Sequence, residues 1–170
     1  MEPLEQVTNN SSFFNLKGKV IDCKIVNIYD GDTMEIAFYF NNVLFKRRIR
    51  LYQCNAPELT PSKKLAKRDI EISNAINSRN LAIHLLTGID MDIVNANATD
   101  RRKKSKNWIA AVLGKQQRVF RVDFHGIDKY GRDLCTVYIN DTEDLASVLI
   151  EKKCAIKYDG GYRDPTKTTL

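Results

Sequence analysis

The sequence has little of what most metal and redox centres are built from. It holds only two histidines, His84 and His125, too isolated to suggest a metal cluster, and each reads as structural or solvent-exposed. Its four cysteines, Cys23, Cys54, Cys135 and Cys154, lie far apart and form no C-x-x-C pair. That argues against zinc or redox chemistry and for four reduced thiols. No run is apolar and long enough to cross a bilayer, and the start, Met1 to Gln6, has neither a basic nor an apolar leader region. An intracellular protein without membrane attachment is therefore expected. Internal repeats and long low-complexity segments are lacking too.

What is present fits one ordinary domain. The chain has 170 residues, of which 43% are hydrophobic and 28% charged, enough for a core without suggesting disorder. Lys and Arg outnumber Asp and Glu by 27 to 21, for a net charge of +6. The surplus favours an anionic partner, nucleic acid before membrane.

Residues 1–17 are polar and read as a flexible arm, with order expected from near Lys19. Ile21, Cys23 and Ile25 alternate with polar neighbours, as a half-buried strand requires. Asp30-Gly31 is a tight-turn signal. Met34, Ile36, Phe38 and Phe40 alternate again, Asn41-Asn42 marks a reversal, and Val43 to Gln53 forms a third strand. One face of this meander is apolar, while the other carries Lys46, Arg48 and Arg50. Pro57 and Pro61 end the sheet pattern.

From about Lys64 to Leu86 the period becomes helical. Ile72, Ile76, Ala82, Ile83 and Leu86 fall near one face, Lys67, Asp69, Glu71 and Arg79 supply polar positions, and Gly88 is a stop. Residues 89–118 read as a basic loop, Arg101 to Lys106, followed by Trp108 and a strand or helical turn from Ile109 to Leu113. Val119 to Phe124 and Leu134 to Ile139 are two more strands. A last helix fits Glu143 to Lys153, capped by Asp141 or Thr142, with Leu145, Val148 and Leu149 buried. Five strands interrupted by a helix predict an OB-type barrel, mainly β or α+β, with two to three helices.

Three segments place charge where strands end: Asp30-Gly31-Asp32-Thr33, then Arg50-Leu51-Tyr52-Gln53-Cys54-Asn55-Ala56-Pro57-Glu58, then Asp128-Lys129-Tyr130-Gly131-Arg132. Taken alone, Asp-Gly-Asp is a hairpin turn and Arg50 one more surface arginine. Three such segments in order are far more specific. In them the chain resembles the staphylococcal nuclease-like (thermonuclease) family, whose pattern runs D-G-D-T, R-L-x-x-x-D-[TA]-P-E and D-K-Y-G-R. Tyr158-Asp159-Gly160-Gly161 is also similar to many members. The resemblance covers roughly Lys19 to Tyr162 apart from residues 89–118. It implies a domain over 18–162, with a basic insertion at about 89–118 and a tail over 163–170.

The resemblance also implies an activity: that of a Ca²⁺-dependent endonuclease or phosphodiesterase hydrolysing DNA, RNA or both, with little sequence preference. Arg50 and Arg132 would clamp the phosphate, which suits the planar guanidinium fork. Glu58 maps to the general base, and Asp32, Asn55 and the Ala56 carbonyl to the metal ligands. Asn55 stands where the family has Asp, so a weakly bound Ca²⁺ is expected, and a nucleic-acid-binding or interaction module without strong catalysis is the alternative. Lys129, Tyr130 and Tyr158 are candidates for nucleotide contacts. Arg101, Arg102, Lys103, Lys104 and Lys106 form either a solvated loop or a flap tracking the phosphate backbone, with Trp108 stacking on a base or anchoring the loop. A monomer is expected.

Overall fold

In a computed structural model of the chain, residues 4–8, 10, 14–160 and 169–170 are described. Strands β1 (Val20–Ile28), β2 (Thr33–Phe40) and β3 (Val43–Leu51) form the expected meander. A two-residue β4 (Cys54–Asn55) follows, then helix α1 (Arg68–Thr87). Next come α2 (Met91–Asn97), α3 (Lys103–Lys115), β5 (Phe120–Ile127), β6 (Asp133–Val137), α4 (Leu145–Glu151) and the short β7 (Ile156–Lys157). Five strands close a barrel in the order β1-β2-β3-β6-β5, and β4 pairs with β7 in a separate ribbon. Within the barrel only β3 and β6 run parallel, with Arg50 opposite Leu134. The result is a closed, mixed five-stranded OB-type barrel with four α-helices among the described residues. That is one helix more than expected.

The alternation read in the sequence is what closes the core. Ile25, Met34, Ile36, Ile49, Val122 and Val137 point inward and are almost fully buried, each contributing about 1.5–3 kcal/mol through burial. Asn41 and Asn42 both take left-handed backbone angles, with φ of 48° and 63°, as the two-residue turn that best matches strand twist demands. Cys23, Cys54 and Cys135 are buried free thiols, and burial pushes Cys23 and Cys54 up to about 12. His84 bonds the Ile89 carbonyl at 2.7 Å, and His125 bonds Thr136 at 2.9 Å and stacks on Tyr52. Both histidines therefore have local partners.

Several boundaries differ from the sequence reading. Packing begins before Lys19: Leu16 is buried in the core, and Gly18 N–H donates to the Phe124 carbonyl at 2.8 Å. The final helix is shorter than Glu143 to Lys153. Asp144 caps it, accepting from Ser147 N–H, in place of Asp141 or Thr142. Gly88 does stop α1, with φ of 72° and its N–H on the His84 carbonyl.

The larger difference is the 89–118 stretch, which holds two helices: the helical alternative for Ile109 to Leu113 is the one observed, within α3, and Lys103 to Lys106 form its first turn rather than a loop. Asp90 caps α2 through Asp92 N–H. Ile109 and Leu113, four residues apart on α3, are buried, with Trp108 packed beside them. Trp108 thus anchors this unit. The same unit explains why Arg79 is buried rather than a polar surface position, while Glu71 is buried against Glu58 and Thr169. The first half of the inward face of α1 meets loops, so it presents hydrogen-bonding groups where the second half presents Ala82, Ile83 and Leu86. Arg79 donates to the carbonyls of Ala98 at 2.6 Å and Asp100 at 2.8 Å, tying the 89–118 unit to α1.

Candidate active site at the barrel rim

The β1–β2 turn, the end of β3 with its following loop, and the β5–β6 turn meet at one rim of the barrel. Pairing puts Thr33 opposite Arg50 at the start of β2 and the end of β3. Gly31 in the first turn does not need a positive φ. Its requirement is space, because a Cβ there would run into the Ser78 hydroxyl and lie 2.8 Å from Ala56 Cβ. That close approach seats the turn against α1 and brings Asp30 and Asp32 inward.

Asp32 is the hub of the rim. It is 2% exposed, yet both carboxylate oxygens are engaged. Oδ1 accepts from Arg50 Nη1 at 3.3 Å and Thr33 Oγ1 at 2.9 Å, and Oδ2 accepts from Ala56 N–H at 2.9 Å and forms an ion pair with Arg50 Nη2 at 2.9 Å. Arg50 also donates to the Cys54 carbonyl at 3.2 Å and to Asn55 Oδ1 at 2.9 Å. Its guanidinium is held in the forked geometry that suits arginine over lysine.

Arg132 arrives from the other side. Asp128 closes its own turn by accepting from Tyr130 N–H at 2.8 Å and Arg132 N–H at 3.0 Å, and it pairs with Arg132 Nε at 2.7 Å. Partial burial raises the Asp128 carboxyl, but the Arg132 and Tyr130 hydrogen bonds outweigh it and hold the group below the usual range. Arg132 Nη1 donates to Thr33 Oγ1 at 3.3 Å. A single hydroxyl therefore links the two guanidinium systems, accepting from Arg132 and donating to Asp32.

Two hollows open from this rim. A cleft of about 1330 Å³ is lined by Arg50, Asn55, Glu58 and Arg132, with Lys129, Tyr130 and Tyr158 along its walls. A smaller hollow of about 290 Å³ is lined by Asp30, Asp32, Ala56, Arg101 and Lys106. Thr33, Arg50, Glu58 and Arg132 border both. Glu58 is exposed at this junction, while its backbone N–H is held by the fully buried Glu71 at 3.1 Å. Glu71 also accepts from the N–H and hydroxyl of Thr169, each at 2.8 Å.

Against this geometry the family comparison is specific. The model of the family described as staphylococcal nuclease homologue matches residues 48–169, well over half the chain. The chain belongs to that family. A search of the curated proteins finds no match. The matched span includes the segments around Arg50 to Glu58 and Asp128 to Arg132, whereas Asp30 to Thr33 lies before it. Among the described residues no helix is long and apolar enough to cross a membrane.

For this nuclease homologue, the structure brings Asp32, Arg50, Glu58 and Arg132 into one neighbourhood. Asn55 and Ala56 are adjacent but face different hollows. Tyr158 stands beside the Arg50 guanidinium, 5.9 Å from ring centroid to Cζ, and Tyr130 beside that of Arg132 at 5.4 Å. Of the basic run, Arg101 and Lys106 line the small hollow, while Arg102, Lys103 and Lys104 line neither.

Four contributors carried no assigned role in the sequence reading. Thr33 and Asp30 sat inside a quoted motif, but only coordinates show that Thr33 bridges the arginines. Burial, then the neighbouring Asp32 carboxylate, push Asp30 well above the usual carboxylate range. Glu71 reads as a polar helix position, and Ser78 carries no sequence signal of its own. What signal there is lies in polar residues recurring on the buried helical face.

Proposed function

We propose that this chain is a phosphodiesterase acting on DNA, RNA or both, with little sequence preference. The observation that carries the reading is the chain Arg132–Thr33–Asp32–Arg50 across a rim where Glu58 borders the same two hollows. A phosphate seated there would meet both guanidiniums, and these stabilise the negative charge that builds on its oxygens as a nucleophile adds. Glu58 is the group placed to take the proton from an attacking water at its carboxylate. The oxygen–phosphorus bond to the departing nucleotide breaks, and that oxygen takes a proton from solvent. Aromatic and cationic walls suit stacking and backbone contact rather than the reading of base edges.

A hard cation fits the residues present. Asp30 Oδ1 is a buried oxygen without a hydrogen-bond partner among the described residues, next to the Asp32 carboxylate. Asp30, Asp32, Asn55 and the Ala56 carbonyl would hold Ca²⁺, which takes oxygen ligands of mixed charge. When bound, Ca²⁺ would supply positive charge to the phosphoryl oxygens and acidity to water. Asn55 in place of a carboxylate weakens that hold. Because Asp32 is fully engaged by Arg50, Thr33 and Ala56, part of the Arg50 grip must be released for Arg50 to reach substrate.

That engagement favours a second reading, a binding module whose arginine stays bound to Asp32. Degradation of single-stranded and duplex DNA across a Ca²⁺ series, with a chelator control and Glu58→Ala, separates the two. Cleavage that needs Ca²⁺ and falls by about 10²–10⁴-fold in Glu58→Ala supports the enzyme. Binding without cleavage at every Ca²⁺ concentration supports the module.

A further inference from the structure

The smaller hollow has a chemistry of its own. Its lining holds four cations, Arg50, Arg101, Lys106 and Arg132, against three carboxylates, Asp30, Asp32 and Glu58. Arg50 and Arg132 are neutralised locally by Asp32 and Asp128. Arg101 and Lys106 show no ion-pair partner among the described residues, so they are the cations of the hollow that no carboxylate holds, with Asp30 and Glu58 as its remaining acids.

Both come from the 89–118 unit, and that unit is fixed rather than loose. Arg79, itself 1% exposed, grips the backbone just ahead of them through Ala98 and Asp100. Asp100 accepts from Arg102 N–H at 2.8 Å and from Ser105 Oγ at 3.0 Å, closing the start of α3. Arg101 Nη1 reaches the Leu59 carbonyl at 3.4 Å, next to Glu58. Two exposed cations are thus carried on a braced platform at the edge of the site.

We propose that Arg101 and Lys106 form a second phosphate subsite, holding the backbone phosphate that neighbours the one between Arg50 and Arg132. This rests on the phosphodiesterase reading and deepens it. The large cleft, at about 1330 Å³, exceeds the roughly 300–1,000 Å³ of ordinary ligand pockets and accommodates a nucleoside. The hollow on the other side, at about 290 Å³, suits a phosphate and part of its sugar. Since the reacting position borders both, the chain enters through one and leaves through the other. The preferred substrate therefore carries a further backbone phosphate on the side of the smaller hollow.

The test compares Arg101→Gln/Lys106→Gln with Lys115→Gln/Lys152→Gln, which removes the same charge from exposed positions outside both hollows. Substrates are the two isomeric 4-nitrophenyl thymidine monophosphates, whose chain stops at the reacting phosphate, and oligothymidylates extended by one phosphate on either side. The subsite predicts that extension on one side lowers the wild-type KM about tenfold. That gain should vanish in Arg101→Gln/Lys106→Gln with kcat changed less than about twofold, and survive in the control pair. Equal KM changes in the two variants, or no extension effect in wild type, overturn the subsite. A wild type that cleaves nothing overturns the phosphodiesterase reading instead. Fluorescence anisotropy of the same labelled oligothymidylates then decides the subsite alone: tighter binding of the extended oligomer, lost only in Arg101→Gln/Lys106→Gln, upholds it, and equal binding rejects it.

Discussion

The barrel rim and the helical unit of residues 89–118 both bring cations to one hollow, but they hold them differently. At the rim, Arg50 and Arg132 are half-buried and each is locked to a carboxylate, Asp32 or Asp128, at 2.9 and 2.7 Å. On the helical unit, Arg101 and Lys106 are exposed and ride on a backbone braced from beneath by Arg79. The rim fixes side chains, and the helical unit fixes only the platform. A group that must meet a transition state in one geometry needs the first arrangement. A group that attracts a flexible polyanion needs the second, where charge stays available and screening by salt sets its reach.

The sharpest way to break this comparison is to remove a rim arginine. Arg132→Ala and Arg50→Ala are each expected to lower kcat by about 10²–10³-fold, and Arg50→Lys should recover little because the fork is lost. A loss confined to KM in steady-state assays would put the rim arginines in the same class as the helical unit. Next in size is the brace. Arg79→Ala leaves the Asp100 carbonyl without its side-chain donor and the Ala98 carbonyl with Asn80 alone, at about 1–3 kcal/mol for the group left unsatisfied. Urea unfolding should show that loss, while an unchanged midpoint would mean the helical unit is not held through Arg79.

How far these two regions could be read from the sequence also differs. The rim was legible because its segments are short, contiguous and tied to strand ends: Asp30 to Thr33, Arg50 to Glu58 and Asp128 to Arg132 carry residue types that only make sense together. The barrel followed from period-two alternation, and the Asn41-Asn42 turn from local backbone preference. The helical unit was not legible because its helices are stabilised from outside themselves. The basic run Arg101 to Lys106 hides a helix start that is capped by no side chain of its own N-cap residue, and the anchoring residues Ile109 and Leu113 give too short a period to decide. Glu71 and Arg79 misled for a related reason. Their charge set them with the polar positions, whereas both lie on the buried face with Ala82, Ile83 and Leu86; burial against hydrogen-bonding groups cannot be told from exposure by residue type.

Two smaller effects sharpen the account of the rim. Asn55→Asp adds a carboxylate near Asp32 and should raise Ca²⁺ affinity about tenfold or more. Unchanged affinity by calorimetry would remove Asn55 from the ligand set. The smallest effect concerns Asp128, whose folded-state carboxyl lies below its unfolded value. Its contribution is present at neutral pH and lost as pH falls from about 4, the unfolded value, through the lower folded one. Thermal melts should show wild type losing stability over that acid window more steeply than Asp128→Asn, which starts lower at pH 7. Parallel pH profiles would show that the Asp128–Arg132 pair contributes nothing to stability.

The central idea, that two guanidiniums from distant segments act on a single phosphate, is tested most directly by a double-mutant cycle. Phosphodiester turnover would be measured for wild type, Arg50→Ala, Arg132→Ala and the double variant. Shared action through Thr33 and Asp32 predicts strong non-additivity, a coupling of about 0.5–3 kcal/mol between the two losses. Losses that simply add, within about 0.5 kcal/mol, would mean that the arginines work on separate groups.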